Sequence, residues 1–332
     1  MRLAEVLPPT PNHLWTMANQ LGVEYAVSSV PGYRRDEPSA RPSLEAMLER
    51  KQRFADHGIK LEVLETAFPM LTTAKWQTEG ADVQRQIDEA LDLIRIMGEA
   101  DVRVACWNWM AVFNWTRTAL AQPTRGGAVV TAYNHAEMGK EADAPEAPIA
   151  ESQLWEGLHH FMEQAVPVAE AAGVTLALHP DDPPISPIRG VGRILTSPDN
   201  LQRAIDLVPS PINGLTFCQG TIATMGADVP AEIRRFGGQG KVGFVHFRDV
   251  RGTPDDFAET FHDDGQTDMA AAMEAWYEVG YDGTCRPDHV PTMAGEELRE
   301  PGYDHQGRLY AIGYVRGLMQ ATARRYATAG VA

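Results

Sequence analysis

The chain has 332 residues, 44% of them hydrophobic, and a formal net charge of −16. Length and apolar content suit one large α/β domain, and so acidic a balance argues against a polyanionic partner, because nucleic-acid binding rests on a basic footprint. The three cysteines, Cys106, Cys218 and Cys285, are too few for a disulfide framework. Prolines interrupt the amino-terminal residues before a signal-peptide core develops, and no apolar run approaches the roughly 20 residues of a membrane helix. A soluble protein in the reducing cytoplasm is expected.

In chain order, residues 2 to 6 read as a short strand, and Pro9-Thr-Pro11 opens a helical pattern that ends at Gly22. Residues 23 to 27 form a second strand, followed by a polar loop at 32 to 37. A helix over 43 to 57 carries apolar residues at Leu44, Met47, Leu48 and Phe54. Residues 61 to 64 and 102 to 107 read as strands on either side of an amphipathic helix, 83 to 97. The longest irregular segment follows, from 108 to 148, and a connection of that length is expected to be a lid, a binding loop or a disordered stretch. Beyond it come a helix at 151 to 172, the strand 174 to 178, a helix at 198 to 207, the strand 214 to 218 and a helix at 229 to 236. The strand 241 to 246, a helix at 268 to 279, the strand 283 to 286 and a closing helix at 307 to 326 complete the alternation. About eight strands alternating with about eight helices predict a single (β/α)8 TIM barrel over 1 to 332, with the long loop after the fourth strand. The alternative, an open doubly wound sheet, would be supported by a Gly-x-Gly-x-x-Gly dinucleotide turn, which is absent.

In a barrel the downstream strand ends share one face, where active sites lie. The aliphatic run Val174-Thr-Leu-Ala-Leu178 stops at His179, before residues too rich in proline to continue a sheet. Leu215-Thr-Phe-Cys218, Val242-Gly-Phe-Val-His246 and Thr284-Cys-Arg-Pro-Asp288 end in the same way. A single histidine there is more often structural, and a single buried cysteine more often a small hydrophobe. Together, His179, Cys218, His246 and Asp288 at four consecutive strand ends form a set that one metal ion would gather. Cys106 and Cys285 fall inside strand patterns and read as packing. His262 falls in a rim loop and reads as a non-ligand.

The segments His179-Pro-Asp-Asp-Pro-Pro184, Val208-Pro-Ser-Pro-Ile-Asn-Gly-Leu-Thr-Phe-Cys-Gln-Gly220, Val245-His-Phe-Arg-Asp249, Arg286-Pro-Asp-His289 and Pro301-Gly-Tyr303 resemble the mannonate dehydratase family, as does Asn114-Trp-Thr-Arg-Thr118. The resemblance implies a barrel related to xylose isomerase and dehydration of a sugar acid to a 2-keto-3-deoxy acid. It also implies a divalent metal, typically manganese, held by His179, Cys218, His246 and Asp288, with His289 and Tyr303 as catalytic neighbours. Asn114 stands where the family usually has aspartate, and Val290 where it has glycine. The family usually has a longer loop around Phe261-His262, and its aromatic-glycine segment is not recognisable near Leu7.

Such chemistry takes a proton from the carbon beside a carboxylate and expels hydroxide from the next carbon. A divalent cation stabilises the enediolate charge that develops. Two imidazoles and a thiolate suit Fe2+, Co2+ or Zn2+ as well as Mn2+. His289 and Tyr303 are the candidate acid and base, in an order the residues leave open. Arg117, Arg248 and Arg286 are candidates to bind the substrate carboxylate or hydroxyls, each with the alternative of pairing with one of 45 acidic residues. Asn114, Asp181 and Asp182 are further substrate-binding candidates, the two aspartates alternatively orienting His179 or capping the turn. A sugar isomerase or epimerase and a non-catalytic sugar-acid-binding paralogue are the competing readings. The expected partner is a small sugar acid, without nucleic acid or membrane, in a homo-oligomer.

Overall fold

The computed structural model describes residues 1–33 and 41–328, so the polar loop expected at 32 to 37 lies largely outside the described residues. The chain begins with β1 (Arg2–Val6), α1 (His13–Gln20), β2 (Tyr25–Ser28), α2 (Leu44–Ala55), β3 (Lys60–Glu65), α3 (Ala81–Glu99) and β4 (Val104–Asn108). A hairpin of β5 (Ala119–Pro123) and β6 (Val129–Asn134) and one helical turn, α4 (His135–Met138), precede the long helix α5 (Glu151–Ala172). Then come β7 (Thr175–His179), α6 (Pro198–Asp206), β8 (Asn213–Cys218), α7 (Gln219–Thr224), α8 (Val229–Gly238) and β9 (Val242–Phe247). A second hairpin, β10 (Val250–Thr253) and β11 (Asp256–Glu259), is followed by α9 (Met269–Glu278), β12 (Thr284–Pro287) and α10 (His305–Thr328).

Local chemistry accounts for many of these boundaries. The side chains of Asn12, Ser43, Ser197, Asp228 and Asp268 accept hydrogen bonds from the otherwise unpaired amides at the starts of α1, α2, α6, α8 and α9. At the other end of α5, Gly173 takes a left-handed conformation at φ 65° and turns the chain into β7.

Strands β1, β2, β3, β4, β7, β8, β9 and β12 close into a parallel barrel, with β12 hydrogen-bonded back to β1. Alternation along each strand divides its residues between two cores. Ala4, Val27, Val63, Val104, Cys106, Ala177 and Phe244 fill the barrel interior, while the opposite faces pack under the helices. Trp276 of α9 is fully buried there, edge-on to Phe217 at 5.1 Å, and its indole N–H donates to Gln219 Oε1 at 2.9 Å. Truncating such a residue to alanine costs about 3–5 kcal/mol.

The segment expected to be irregular, 108 to 148, contains β5, β6 and α4. Strand β6 pairs antiparallel with β11, with Phe257 opposite Tyr133, so two excursions from the barrel share one four-stranded sheet in the order β10-β11-β6-β5. These strands have four to six residues each, and β5 is largely exposed at an edge. Their pairing joins segments far apart in sequence, which no local periodicity encodes.

Candidate metal centre and active site

Parity places the functional side chains on the inner face of the barrel. On β7 the inward residues are Ala177 and then His179; on β8, Thr216 and Cys218; on β9, Phe244 and His246. The donor atoms of His179, Cys218 and His246 lie within 4.8 Å of one another, all at the downstream end. The ladder pairs Cys218 with His246, and His246 with Arg286. Asp288 therefore stands one inward step beyond that level. Its Oδ2 is 3.5 Å from His246 Nδ1, and it flanks the three-residue cluster.

The state of the donors fits a cation. His179 Nδ1 lies 2.6 Å from the carbonyl of Pro180, which can only accept, so Nδ1 carries a proton and Nε2 is left as the candidate ligand atom. Burial opposes charge on the ring, but Cys218, Asp182 and the Pro180 carbonyl outweigh it and raise its pKa. His246 is buried, and neither ring nitrogen has a hydrogen-bond partner among the described residues. Burial, reinforced by Arg286, drives its pKa well below the usual histidine range and keeps the ring neutral. A neutral imidazole with unpartnered nitrogens beside a buried cysteine is a costly arrangement without a ligand and a suitable one with a divalent cation. Glu65, Cys106 and His246 form a second close group beneath the cavity, but burial raises the Cys106 thiol far above its ordinary pKa, which favours packing.

Charge pairing sets the rest of the mouth. Arg117 makes a two-pronged contact with Asp182, at 2.6 and 3.1 Å, and also binds Glu259. Arg248 donates to Asp182 at 2.6 Å, Glu259 at 2.8 Å and Asp288 at 2.9 Å. Arg286 binds Glu65 at 2.6 Å and Asp288 at 2.8 Å. Burial alone would raise the pKa of Asp182 and Glu259, but the surrounding cations overcome it and hold both below the usual carboxylate range. Gly220 makes room for this network, because a Cβ there would fall 2.5 Å from Arg248 Nη1.

A cavity of about 160 Å³ opens above the metal-competent cluster. Its wall includes His179, His246, Asp288, His289 and Tyr303, together with Asn114, Asp182 and Arg286. Arg117, Asp181 and Arg248 do not line it. Arg117 and Arg248 are occupied by carboxylates, and Asp181 accepts from the amides of Ile194 and Leu195 and from Arg193. His262 is buried, with Nε2 2.7 Å from the Phe247 carbonyl; burial lowers its pKa to about 4.

His289 Nδ1 lies 2.9 Å from Glu259 Oε1. An ionised carboxylate only accepts, so Nδ1 carries the proton and Nε2 is the basic nitrogen. The Tyr303 ring stands edge-on to His289 at 5.3 Å, and its hydroxyl donates to Asp288 Oδ1 at 3.0 Å. Burial raises the Tyr303 pKa far above its ordinary value, so the phenol keeps its proton. Three residues of this arrangement were not singled out in the sequence: Glu259, Glu65 and Trp115, whose ring packs 4.9 Å from His289. Glu259 ends β11, where its pairing with Val250, just after β9, brings it back to the mouth of the barrel beside His289.

The closed (β/α)8 barrel carries a buried, metal-competent cluster at its downstream mouth, with His289 and Tyr303 on the wall of the cavity above it. The solved structure of an L-ribulose 3-epimerase shares that fold, at TM-score 0.57 and 17% identity, covering 96% of this chain and 91% of that one. Residues 17–146 and 146–329 match the family model D-mannonate dehydratase (UxuA). Mannonate dehydratase 2 of Halalkalibacterium halodurans is 32% identical over 306 residues, 84% of this chain and 87% of the relative. The crystal structure of mannonate dehydratase from Streptococcus suis serotype 2 matches at TM-score 0.88 and 29% identity, over 98% of this chain and 95% of that one. The chain belongs to the mannonate dehydratase family and is a hydro-lyase. No helix among the described residues is long and apolar enough to cross a membrane.

Proposed function

We propose that the enzyme dehydrates D-mannonate to 2-keto-3-deoxy-D-gluconate, with His289 as the base and Tyr303 as the acid. The observation that carries this reading is the opposite state of the two groups beside one cavity. Glu259 fixes the His289 proton on Nδ1 and leaves Nε2 able to accept, while Tyr303 is held as a neutral phenol able to donate.

His179, Cys218, His246 and Asp288 would hold the divalent cation, with Mn2+ the first candidate and Fe2+, Co2+ and Zn2+ the alternatives. Bound there, it supplies Lewis-acid stabilisation of the negative charge that builds on the substrate carboxylate. His289 Nε2 takes the proton from C2. The freed electron pair becomes the C2–C3 double bond as the C3–O bond breaks, and the Tyr303 proton joins the departing hydroxide to give water. The enol then tautomerises to the 2-keto acid, and solvent exchange resets both side chains.

Of the residues on the cavity wall, Asn114 would bind substrate hydroxyls, while the donors of Arg286 are taken by Glu65, Asp288 and the Pro287 carbonyl, so that it supports the site through Asp288. Arg117, Arg248 and Asp181 act through other residues, by fixing Asp182, Glu259 and the turn after β7. The assay is formation of the keto acid from a panel of hexonates and pentonates in the presence of Mn2+. D-Mannonate is expected to be the best substrate, and interconversion of sugars without loss of water would overturn the reading.

A further inference from the structure

The base and the acid of the proposed reaction stand at the two ends of one loop. His289 precedes it and Tyr303 follows it. The amide of Val290 donates to the Gly302 carbonyl at 2.8 Å, which closes the neck of the loop and sets the two rings 5.3 Å apart.

One neck hydrogen bond leaves the downstream limb free to shift along the upstream one, and a second tie removes that freedom. The Thr292 hydroxyl donates to Asp304 Oδ2 at 2.6 Å. Asp304 Oδ1 accepts from the Glu300 amide at 3.4 Å, and the Glu300 carbonyl accepts from the Tyr303 amide at 2.7 Å. Thr292 and Asp304 are both buried, so water competes little for this contact. Asp304 stands immediately before α10, whose Arg308 lies over the Tyr303 ring at 5.3 Å and donates to the Val6 carbonyl at 3.0 Å.

Thr292 is itself anchored outside the loop. Its amide donates to the Val129 carbonyl at 2.9 Å and its carbonyl accepts from the Val129 amide at 3.1 Å, an antiparallel bridge to the first residue of β6. Shortly before β5, the other strand of that hairpin, Arg117 binds Glu259, the partner of His289. The hairpin thus reaches the supports of both groups, that of His289 through Arg117 and that of Tyr303 through Thr292. Neither Thr292 nor Asp304 lines the catalytic cavity, so neither is placed to touch substrate.

We infer that Thr292 and Asp304 are positioning residues for Tyr303, holding its phenol at the cavity wall beside His289. The inference rests on the reading of Tyr303 as the acid.

The test replaces Thr292 by valine, which keeps the shape and removes the hydroxyl, and by serine, which keeps the hydroxyl. Asp304→Asn retains a helix-capping side chain with one acceptor fewer, and it carries the same comparison if the valine variant does not fold. Circular dichroism and bound Mn2+ establish that each variant is folded and loaded. With D-mannonate as substrate, Thr292→Val is expected to lower kcat about tenfold with KM little changed, Asp304→Asn to act in the same direction and Thr292→Ser to keep most of the rate. In the Tyr303→Phe background, Thr292→Val should cost less than about twofold, because the group it positions is already gone. The same loss in both backgrounds overturns the inference, as does an unchanged kcat in Thr292→Val. Hydrogen exchange of residues 296–304, measured on the Mn2+-loaded enzyme without substrate, separates this inference from the dehydratase reading. Faster exchange in Thr292→Val than in Thr292→Ser, with no keto acid formed from any sugar acid, removes the dehydratase and keeps the clamp on Tyr303. Equal exchange in the two variants overturns the clamp whatever the activity.

Discussion

Replacing Arg248 by methionine removes the guanidinium that joins Asp182, Glu259 and Asp288, with little change in side-chain volume. Arg117 still pairs with Asp182 and Glu259, and Arg286 with Asp288, so each carboxylate keeps one cation and loses the other. Breaking a buried ion pair by deleting one partner costs about 3–5 kcal/mol. For 332 residues the unfolding entropy is roughly 0.7 kcal/mol/K, taking about 2.1 cal/mol/K per residue, so Tm should fall by about 4–7 °C. The pH dependence has a definite sign. Asp182 and Glu259 have folded pKa values below their unfolded values of about 3.9 and 4.3. The stability they contribute is fully present above that range and is lost as pH falls through the folded values. Without Arg248 the depression is smaller, and protonated carboxylates need the missing cation less. The gap between the two proteins should therefore be full near pH 7 and should narrow only below about pH 4. Calorimetric unfolding of both, freed of metal by a chelator, provides the measurement. A drop under about 2 °C at pH 7, or a gap that widens in acid, would refute the reasoning.

Cys218→Ala should sharply lower bound Mn2+, read by elemental analysis, with circular dichroism unchanged; an undiminished stoichiometry would remove Cys218 from the ligand set. Tyr303→Phe keeps the ring against His289 and removes the proton donor, so kcat should fall about 10²–10⁴-fold with metal content retained. Equal loss of kcat and metal would make Tyr303 a support for Asp288 instead. Because β6 and β11 are hydrogen-bonded to each other, a sugar acid in the cavity should slow hydrogen exchange in 119–134 and 250–259 together. Protection confined to one hairpin would show that they do not respond as one lid.

Much of the fold is legible without coordinates, because barrel strands and their covering helices follow local rules. The run Val174 to Leu178, the glycine after α5 and the capping Ser43, Ser197 and Asp268 locate elements by side-chain chemistry and period alone. The same alternation places His179, Cys218 and His246 at strand ends, so most of the metal-competent set follows from counting along each strand. The lettered sequence carries no comparable signal for β5, β6, β10 and β11. The pairing of β6 with β11, which joins the two hairpins, links segments more than a hundred residues apart. Glu259 illustrates the consequence: nothing in Asp256-Phe-Ala-Glu259 marks a residue of the site, yet the fold sets that carboxylate 2.9 Å from His289 Nδ1. Arg117 and Arg248 show the converse. Residue type alone fits them to a substrate carboxylate, but the tertiary structure commits their donors to buried aspartates and glutamates. Sequence determined which strand-end groups reach the mouth of the barrel; only the tertiary structure decided that Glu259 joins them, which groups face the cavity and which neutralise one another, because burial makes every unpaired charge costly and pairing is settled by three-dimensional proximity.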